Sequence, residues 1–301
     1  MELTVIGTVF VDIKGYPSGG FVPAGRNAGR VEQFHGGVGR NIAEDVANLG
    51  IDTTFISLVD EGGIGADVVS HLRDCGINTG YVRTSPDGMG TWLAIFDESG
   101  EVYANMSRRS VLLPLCQVLD AEGGDIFSHT DGILLEIDIE EEVVAKVFEL
   151  ADRYEKPVYA VISNISIALE RMDYIRRSRC FVCNRQEAEV FFEACGISSS
   201  EEASPDQVLA IMQDRSAEIG LRAMVVTMAA DGAAYADYEK GEFGLCPAQP
   251  VKVIDTTGAG DSFFAGVSVG LSGGDSMADA CRLGAEMAAK VISGEGNVYE
   301  K

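Results

Sequence analysis

The chain has 301 residues, 46% of them apolar and 8% aromatic, which is enough to form a sizeable core. It carries 47 acidic side chains against 23 basic ones, a formal net charge of -24 spread over both halves. That charge disfavours nucleic acid, whose binders need several Lys and Arg to displace condensed counterions, and the apolar runs fall far short of the roughly 20 residues of a spanning helix. In chain order, residues 3–7 form a short apolar run, read as an opening strand with no basic or cleavable leader before it. Residues 10–36 are rich in Gly and Pro and end in a strand-like stretch at 30–34. Val38, Ile42, Val46 and Leu49 mark one face of a helix that Gly50 closes. A β-branched strand follows at 53–59. A hairpin is expected over 90–105, with its turn at Glu98-Ser99-Gly100. Residues 133–135 read as a strand. Val143, Val144, Val147, Phe148, Ala151 and Tyr154 form the face of the next helix, and Glu140-Glu141-Glu142 suits the positive end of its dipole. Strands are expected at 157–162, 180–183 and 223–227, a surface loop at 196–206, and helices over 263–271 and 276–292.

Continuous apolar strands separated by helical periods predict an α/β fold with a mainly parallel central sheet. The segments at about 10–36 and 90–108 break the alternation and are expected to form a small β-sheet flap. Without a repeat or a long linker, residues 1–301 read as a single domain. Seven scattered cysteines, an odd number, suit a reduced, cytoplasmic chain. Cys180 and Cys183 are read as strand packing, because a zinc ribbon would need a second pair. His35, His71 and His129 show no ligand spacing and are read as packing or surface groups, with His35 bordering a glycine-rich loop. Trp92 begins a flap strand and is expected either in the core of the lid or, in preference, at a contact between two flaps.

Two glycine-rich segments carry chemistry. In Asp255-Thr256-Thr257-Gly258-Ala259-Gly260-Asp261-Ser262 a turn opens directly into an apolar-faced helix. Its backbone N–H groups and helix dipole can hold a phosphate or a developing phosphoryl charge. Asp261, in the first turn, is placed to accept a proton from an attacking hydroxyl. The alternative is a helix that the two aspartates merely cap. Gly36-Gly37-Val38-Gly39-Arg40-Asn41 joins a strand to a second helix. A dinucleotide fingerprint would need glycine where Ile42 stands, so close approach to a small ligand with Asn41 as hydrogen-bonder fits better. No P-loop motif is present.

Together these segments resemble the PfkB (ribokinase-like) family of carbohydrate and nucleoside kinases. Gly-Gly-Val-Gly-Arg-Asn-Ile-Ala looks like its first signature and Asp-Thr-Thr-Gly-Ala-Gly-Asp-Ser-Phe like its second, about 220 residues later. The resemblance implies a ribokinase-like three-layer α/β/α fold and ATP-dependent transfer of phosphate to a primary hydroxyl of a sugar or nucleoside. It implies Asp261 as the base and Gly258, Ala259 and Gly260 as the anion hole. Asp12, Gly37, Asn41 and Glu136 would bind substrate, and Asn184, Thr227 and Gly232 the nucleotide. Glu187 would act indirectly on Mg²⁺. Asp255 and Thr257, with carbonyls near Val291, Gly294 and Gly296, are similar to a monovalent-cation site that takes K⁺. A lid at 10–36 and 90–108 and a homodimer through it are also implied. Asn27-Ala28-Gly29-Arg30-Val31, followed by the first signature, resembles the pseudouridine kinase branch and makes pseudouridine the leading substrate, ahead of ribose, fructose and other nucleosides. Phe10, Ser107-Arg108-Arg109, Val161 and Ala229 depart from that branch. Arg108 and Arg109 either face an anionic substrate or end a solvated hairpin. A non-catalytic sensor on the same fold is the rival from another class.

Overall fold

β1 (Glu2–Ile6) leads into β2 (Phe10–Pro17) and β3 (Gly29–Gly36), and α1 (Val38–Asn48) returns the chain to β4 (Asp52–Ile56). β5 (Leu58–Val59), α2 (Gly63–Asp74) and β6 (Arg83–Thr84) precede the hairpin β7 (Gly90–Phe96) and β8 (Val102–Arg108). The alternation resumes with α3 (Leu115–His129), β9 (Gly132–Glu136), α4 (Glu141–Arg153), β10 (Val158–Val161), α5 (Ile165–Ala168) and α6 (Met172–Arg177). β11 (Cys180–Asn184), α7 (Arg185–Ala194), α8 (Pro205–Asp214), α9 (Ser216–Ile219) and β12 (Ala223–Thr227) follow. After them come β13 (Ala233–Asp237), β14 (Glu242–Cys246), α10 (Ala259–Ser272) and α11 (Met277–Ile292). The structure, a computed structural model, describes residues 1–97, 102–200, 203–294 and 296–300. The expected Glu98-Ser99-Gly100 turn lies outside them.

The large sheet has eight strands in the order β14-β13-β12-β11-β10-β9-β1-β4. The six from β12 to β4 are parallel, and β13 and β14 add an antiparallel edge. Successive strand residues serve opposite layers, as the pleat requires. Ile133, Leu135, Val158 and Phe181 pack in a core with α3, α4 and α7, whereas Leu134, Tyr159 and Val182 pack in a second core with α1, α10 and α11. This is the ribokinase-like three-layer architecture. It also explains Cys180 and Cys183. Three residues apart on one strand, they point into different cores, so they share no ligand.

The two interrupting segments form one four-stranded sheet, β3-β2-β7-β8. β2 was not legible as a strand because Gly15 and Pro17 read as turn residues; it is antiparallel to β3 and parallel to β7. β13 and β14 also lacked a clear apolar pattern, since Ala and Gly fill the register that Tyr235 and Phe243 anchor. None of the helices among the described residues is long and apolar enough to cross a membrane.

Candidate active site

β1 feeds β4 on one side, while β9 lies on its other side and leads outward toward β14. Ligands of open α/β sheets bind at such a reversal, outside the carboxyl ends of the strands. Here the loop after β1 meets the end of β9: Thr8 N–H and Thr8 Oγ1 both donate to Glu136 Oε2 at 2.8 Å, and Ser163 Oγ donates to Oε1 at 3.3 Å. Glu136 is only 2% exposed. Burial, with Asp138 adding to it, pushes its carboxyl up to about 7 against the pull of the Thr8 bonds. The N-terminus of α1 lies against the same loop, so that a Cβ on Gly39 would stand 2.6 Å from the Gly7 backbone.

α1 and α10 converge across this point. Asn41 Nδ2 donates to Asp261 Oδ2 at 2.7 Å. Burial pushes the Asp261 carboxyl up to about 6, the Asn41 bond and Arg40 oppose the rise, and the charges of Asp12 and Glu187 add to it. Gly258 caps α10 in the left-handed region at φ 81°, and a Cβ there would fall 2.0 Å from the Asn297 carbonyl oxygen. The turn therefore demands glycine and brings α10 against residue 297. Ala259 N–H donates to Thr256 O at a long 3.3 Å, so of the expected anion-hole groups this one is already engaged. Asp255 Oδ1 accepts from Thr257 N at 2.9 Å and Oγ1 at 2.7 Å, and Oδ2 pairs with Lys14 Nζ at 3.4 Å. Burial alone would raise the Asp255 carboxyl; the Thr257 bonds and Lys14 outweigh it and hold it below its ordinary value. Both oxygens thus have partners, one of them an ammonium.

A cleft of about 460 Å³ opens between this turn and the small sheet, lined by Asp12, Lys14, Tyr16, Arg30, Glu32 and Phe34 on one side and by Ile254, Asp255 and Thr257 on the other. Strand register explains the lining. Asp12, Lys14 and Tyr16 alternate along β2 and pair with Phe34, Glu32 and Arg30 of β3. Trp92 pairs with Asp12, which puts it on this inner face of the sheet. Arg30 lies over the Tyr16 ring at 4.5 Å, and Lys14 over the Phe34 ring at 5.1 Å.

The residues expected to face the nucleotide lie at and just after the ends of β11 and β12. Asn184 and Glu187 form a capping box: Glu187 N–H donates to Asn184 Oδ1 at 2.9 Å, and Asn184 N–H to Glu187 Oε2 at 2.7 Å. Thr227 Oγ1 donates to Cys183 O at 3.5 Å, and Gly232 holds a left-handed φ of 86°. Ala229, where the resemblance has glycine, also has positive φ, at 49°.

A family model described as pfkB family carbohydrate kinase matches residues 1–300. The chain belongs to the pfkB family. It is thus a sugar or nucleoside kinase, a phosphotransferase. Guanosine-inosine kinase of Exiguobacterium acetylicum is 32% identical over 297 residues, 98% of this chain and 96% of that one. Pseudouridine kinase of Escherichia coli is 25% identical, over 88% of this chain and 82% of that one. Arabidopsis thaliana ribokinase, solved with ribose and ATP, superimposes with a TM-score of 0.82 over 99% of this chain and 95% of that one; at 19% identity it speaks for the fold.

Several residues of this pfkB kinase that brace the site were not singled out in sequence. Arg40, 3% exposed, donates to Glu44 Oε2 at 2.6 Å, to Asn297 Oδ1 at 3.1 Å and to the His35 carbonyl. Asn297 donates to the same carbonyl at 3.0 Å and to Asn41 Oδ1 at 3.4 Å. Asp45, fully buried, accepts from Ser262 Oγ at 2.7 Å and from Tyr299 N at 2.5 Å. The signal for Arg40 and Asp45 was their charge on the apolar-faced α1, which a solvated helix would not explain. Arg108 pairs with Asp87 at 3.1 Å, and Arg109 with Asp138 at 3.3 Å, so both arginines have carboxylate partners.

Proposed function

We propose that the chain transfers the γ-phosphoryl group of ATP to the primary hydroxyl of a purine ribonucleoside, guanosine or inosine. The observation that carries the chemistry is Asp261. It is a carboxylate of raised pKa, held by Asn41 beside the Gly258–Ala259–Gly260 turn and near enough to Asp12, which lines the cleft, to feel its charge. At neutral pH it is mostly ionised, yet a stronger base than an ordinary aspartate. The acceptor O–H proton passes to an Asp261 oxygen as that hydroxyl oxygen bonds to the γ-phosphorus. The bond from phosphorus to the β–γ bridging oxygen breaks, and ADP leaves. N–H groups of the Gly258–Gly260 turn meet the charge on the transferred phosphoryl oxygens, Ala259 giving up its long bond to Thr256.

In this reading Asp12 and Asn41 hold ribose hydroxyls, and Gly37 lets the backbone come close to them. Glu136, with both oxygens engaged, positions the Thr8 loop instead of touching sugar. Asn184, Thr227 and Gly232 face the nucleotide. Mg²⁺ binds chiefly through phosphates and water with one or two carboxylates, and Glu187, whose Oε2 serves the helix cap, suits that limited part. When bound, the ion neutralises phosphate charge. The small sheet acts as a lid that excludes water, which would otherwise compete as acceptor.

The purine assignment is supported by the fuller and stronger likeness to the guanosine-inosine kinase and by the aromatic lining of the cleft. The pseudouridine alternative leans on the 27–31 segment. There the Asn27 side chain binds its own turn, accepting from Val22 N at 2.8 Å and donating to Val22 O at 3.0 Å. The test is ADP release with guanosine, inosine, pseudouridine, ribose and fructose as acceptors. Guanosine or inosine should give the highest kcat/KM. A lead for pseudouridine would overturn the purine assignment, and inactivity with all five would remove the proposed acceptor class.

A further inference from the structure

We propose that Glu44, His71 and Cys75 form a binding site for a divalent metal ion of borderline softness, Zn²⁺, outside the phosphoryl-transfer site. His71 lies in the last turn of α2 and Cys75 caps its C-terminus. Their spacing of four residues puts both side chains on one helix face. Glu44 comes from the facing α1. Glu44 Oε1 lies 3.0 Å from His71 Nε2, and Cys75 Sγ lies 3.8 Å from the same nitrogen. The three ligand atoms all fall within 4.8 Å of one another.

Zinc bonds of about 2.0–2.2 Å to N and O and about 2.3 Å to S, at tetrahedral angles, place ligand atoms roughly 3.4–3.6 Å apart. The free arrangement is therefore within a few tenths of an ångström of closing on an ion at the two measured edges. Three protein ligands leave a fourth position for water.

The carboxylate is pre-oriented. Glu44 Oε2 is held by Arg40 Nη1 at 2.6 Å, so that Oε1 is the oxygen turned to His71. An outer-shell partner of this kind sets the direction of a metal-binding carboxylate. Glu44 is nearly buried and His71 half-exposed, so the cluster has an open side through which an ion can enter. The donor set also selects the metal. Thiolate and imidazole favour Zn²⁺ and exclude Mg²⁺, which takes oxygen ligands. On binding, the Cys75 thiol proton goes to solvent, and the His71 N–H moves to Nδ1, freeing Nε2 for the ion. The ion ties α2 to α1 and leaves the Arg40 bond intact.

Equilibrium dialysis of the full chain against Zn²⁺ with excess Mg²⁺ present tests this, together with the thiolate charge-transfer absorption of the Co²⁺-substituted protein. Wild type should retain Zn²⁺ in one-to-one ratio and show the absorption. Cys75→Ser should abolish the absorption, and both Cys75→Ser and His71→Ala should weaken retention by at least about 100-fold, the upper range for loss of a mere outer-shell partner. Cys116→Ser, which alters another partly exposed thiol, should change neither. Kinase turnover of the metal-free variants reports that they fold. Should one misfold, the other still decides. No Zn²⁺ on wild type, an absorption that survives Cys75→Ser, or one that disappears with Cys116→Ser overturns the site.

Discussion

Asp261 owes its basicity to opposed local forces, and each can be removed singly. Asp261→Asn keeps the shape and the contact with Asn41 but cannot take a proton. Turnover should fall by about 10²–10⁴-fold, the usual contribution of a positioned base, while equilibrium binding of nucleoside and ATP stays near wild type. Full turnover in this variant would reject Asp261 as base. Its pH dependence follows from the direction of the shift. In the proposed reaction the working form is the carboxylate, and burial raises its pKa to about 6. The rate should therefore drop tenfold per pH unit below about 6, where an ordinary aspartate would still be ionised. Asn41→Ala deletes a hydrogen bond that favours the charged form, so in that variant the acid limb of the kcat profile should move to higher pH.

The seam between α1 and α10 is the element on which the site depends. Ser262, next to Asp261, donates to the buried Asp45, and Asp45 in turn accepts from the backbone of Tyr299. Ser262→Ala leaves a buried acceptor short of a donor and should cost about 1–3 kcal/mol in urea unfolding. The sign of its pH dependence is also set. Burial raises the Asp45 carboxyl well above its ordinary value of 3.8, so the folded state holds the proton longer and stability is lost as pH rises through that window. Removing the Ser262 bond, which favours the charged form, raises it further, so the deficit should grow rather than shrink as pH rises. The helices themselves were legible in sequence, because Val38, Ile42 and Val46 or Phe263, Phe264 and Val267 repeat at helical spacing. So were Asn41 and Asp261, since each stands in a glycine-rich turn whose chemistry is local. The brace was not. Asp45 meets Ser262 across 217 residues and Arg40 meets Asn297 across 257, and no local period encodes such pairs. The same limit hid β2, whose Gly15 and Pro17 obey a register set by β3 and β7. Likewise the Glu44–His71–Cys75 cluster needs two helices to be packed before it exists.

At the scale of the whole molecule, the small sheet presents an apolar outer face. Val31 is 70% exposed, Leu93 42% and Met106 74%, and the last two are paired in register across β7 and β8. Their row runs opposite to the inner face that carries Asp12 and Trp92. A second copy of the chain seated on this face would bury it, and sedimentation should show a homodimer that Met106→Asp converts to monomer; a wild-type monomer would refute the lid-to-lid assembly. The net charge of -24 acts over longer distances. ATP is itself polyanionic, so the field of the protein opposes its approach until, in the proposed reading, it reaches the α10 N-terminus. Salt screens the long-range repulsion first, because the Debye length shrinks from about 30 Å at 0.01 M to about 8 Å at 0.15 M, while contacts inside the cleft are much less affected. The KM for ATP should therefore fall as ionic strength rises over that range at fixed free Mg²⁺, with kcat nearly constant. A protein that gathers nucleotide by a basic surface would show the opposite trend. A KM that rises steeply with salt would mean that local positive charge at the cleft mouth, not the global field, governs how the nucleotide arrives.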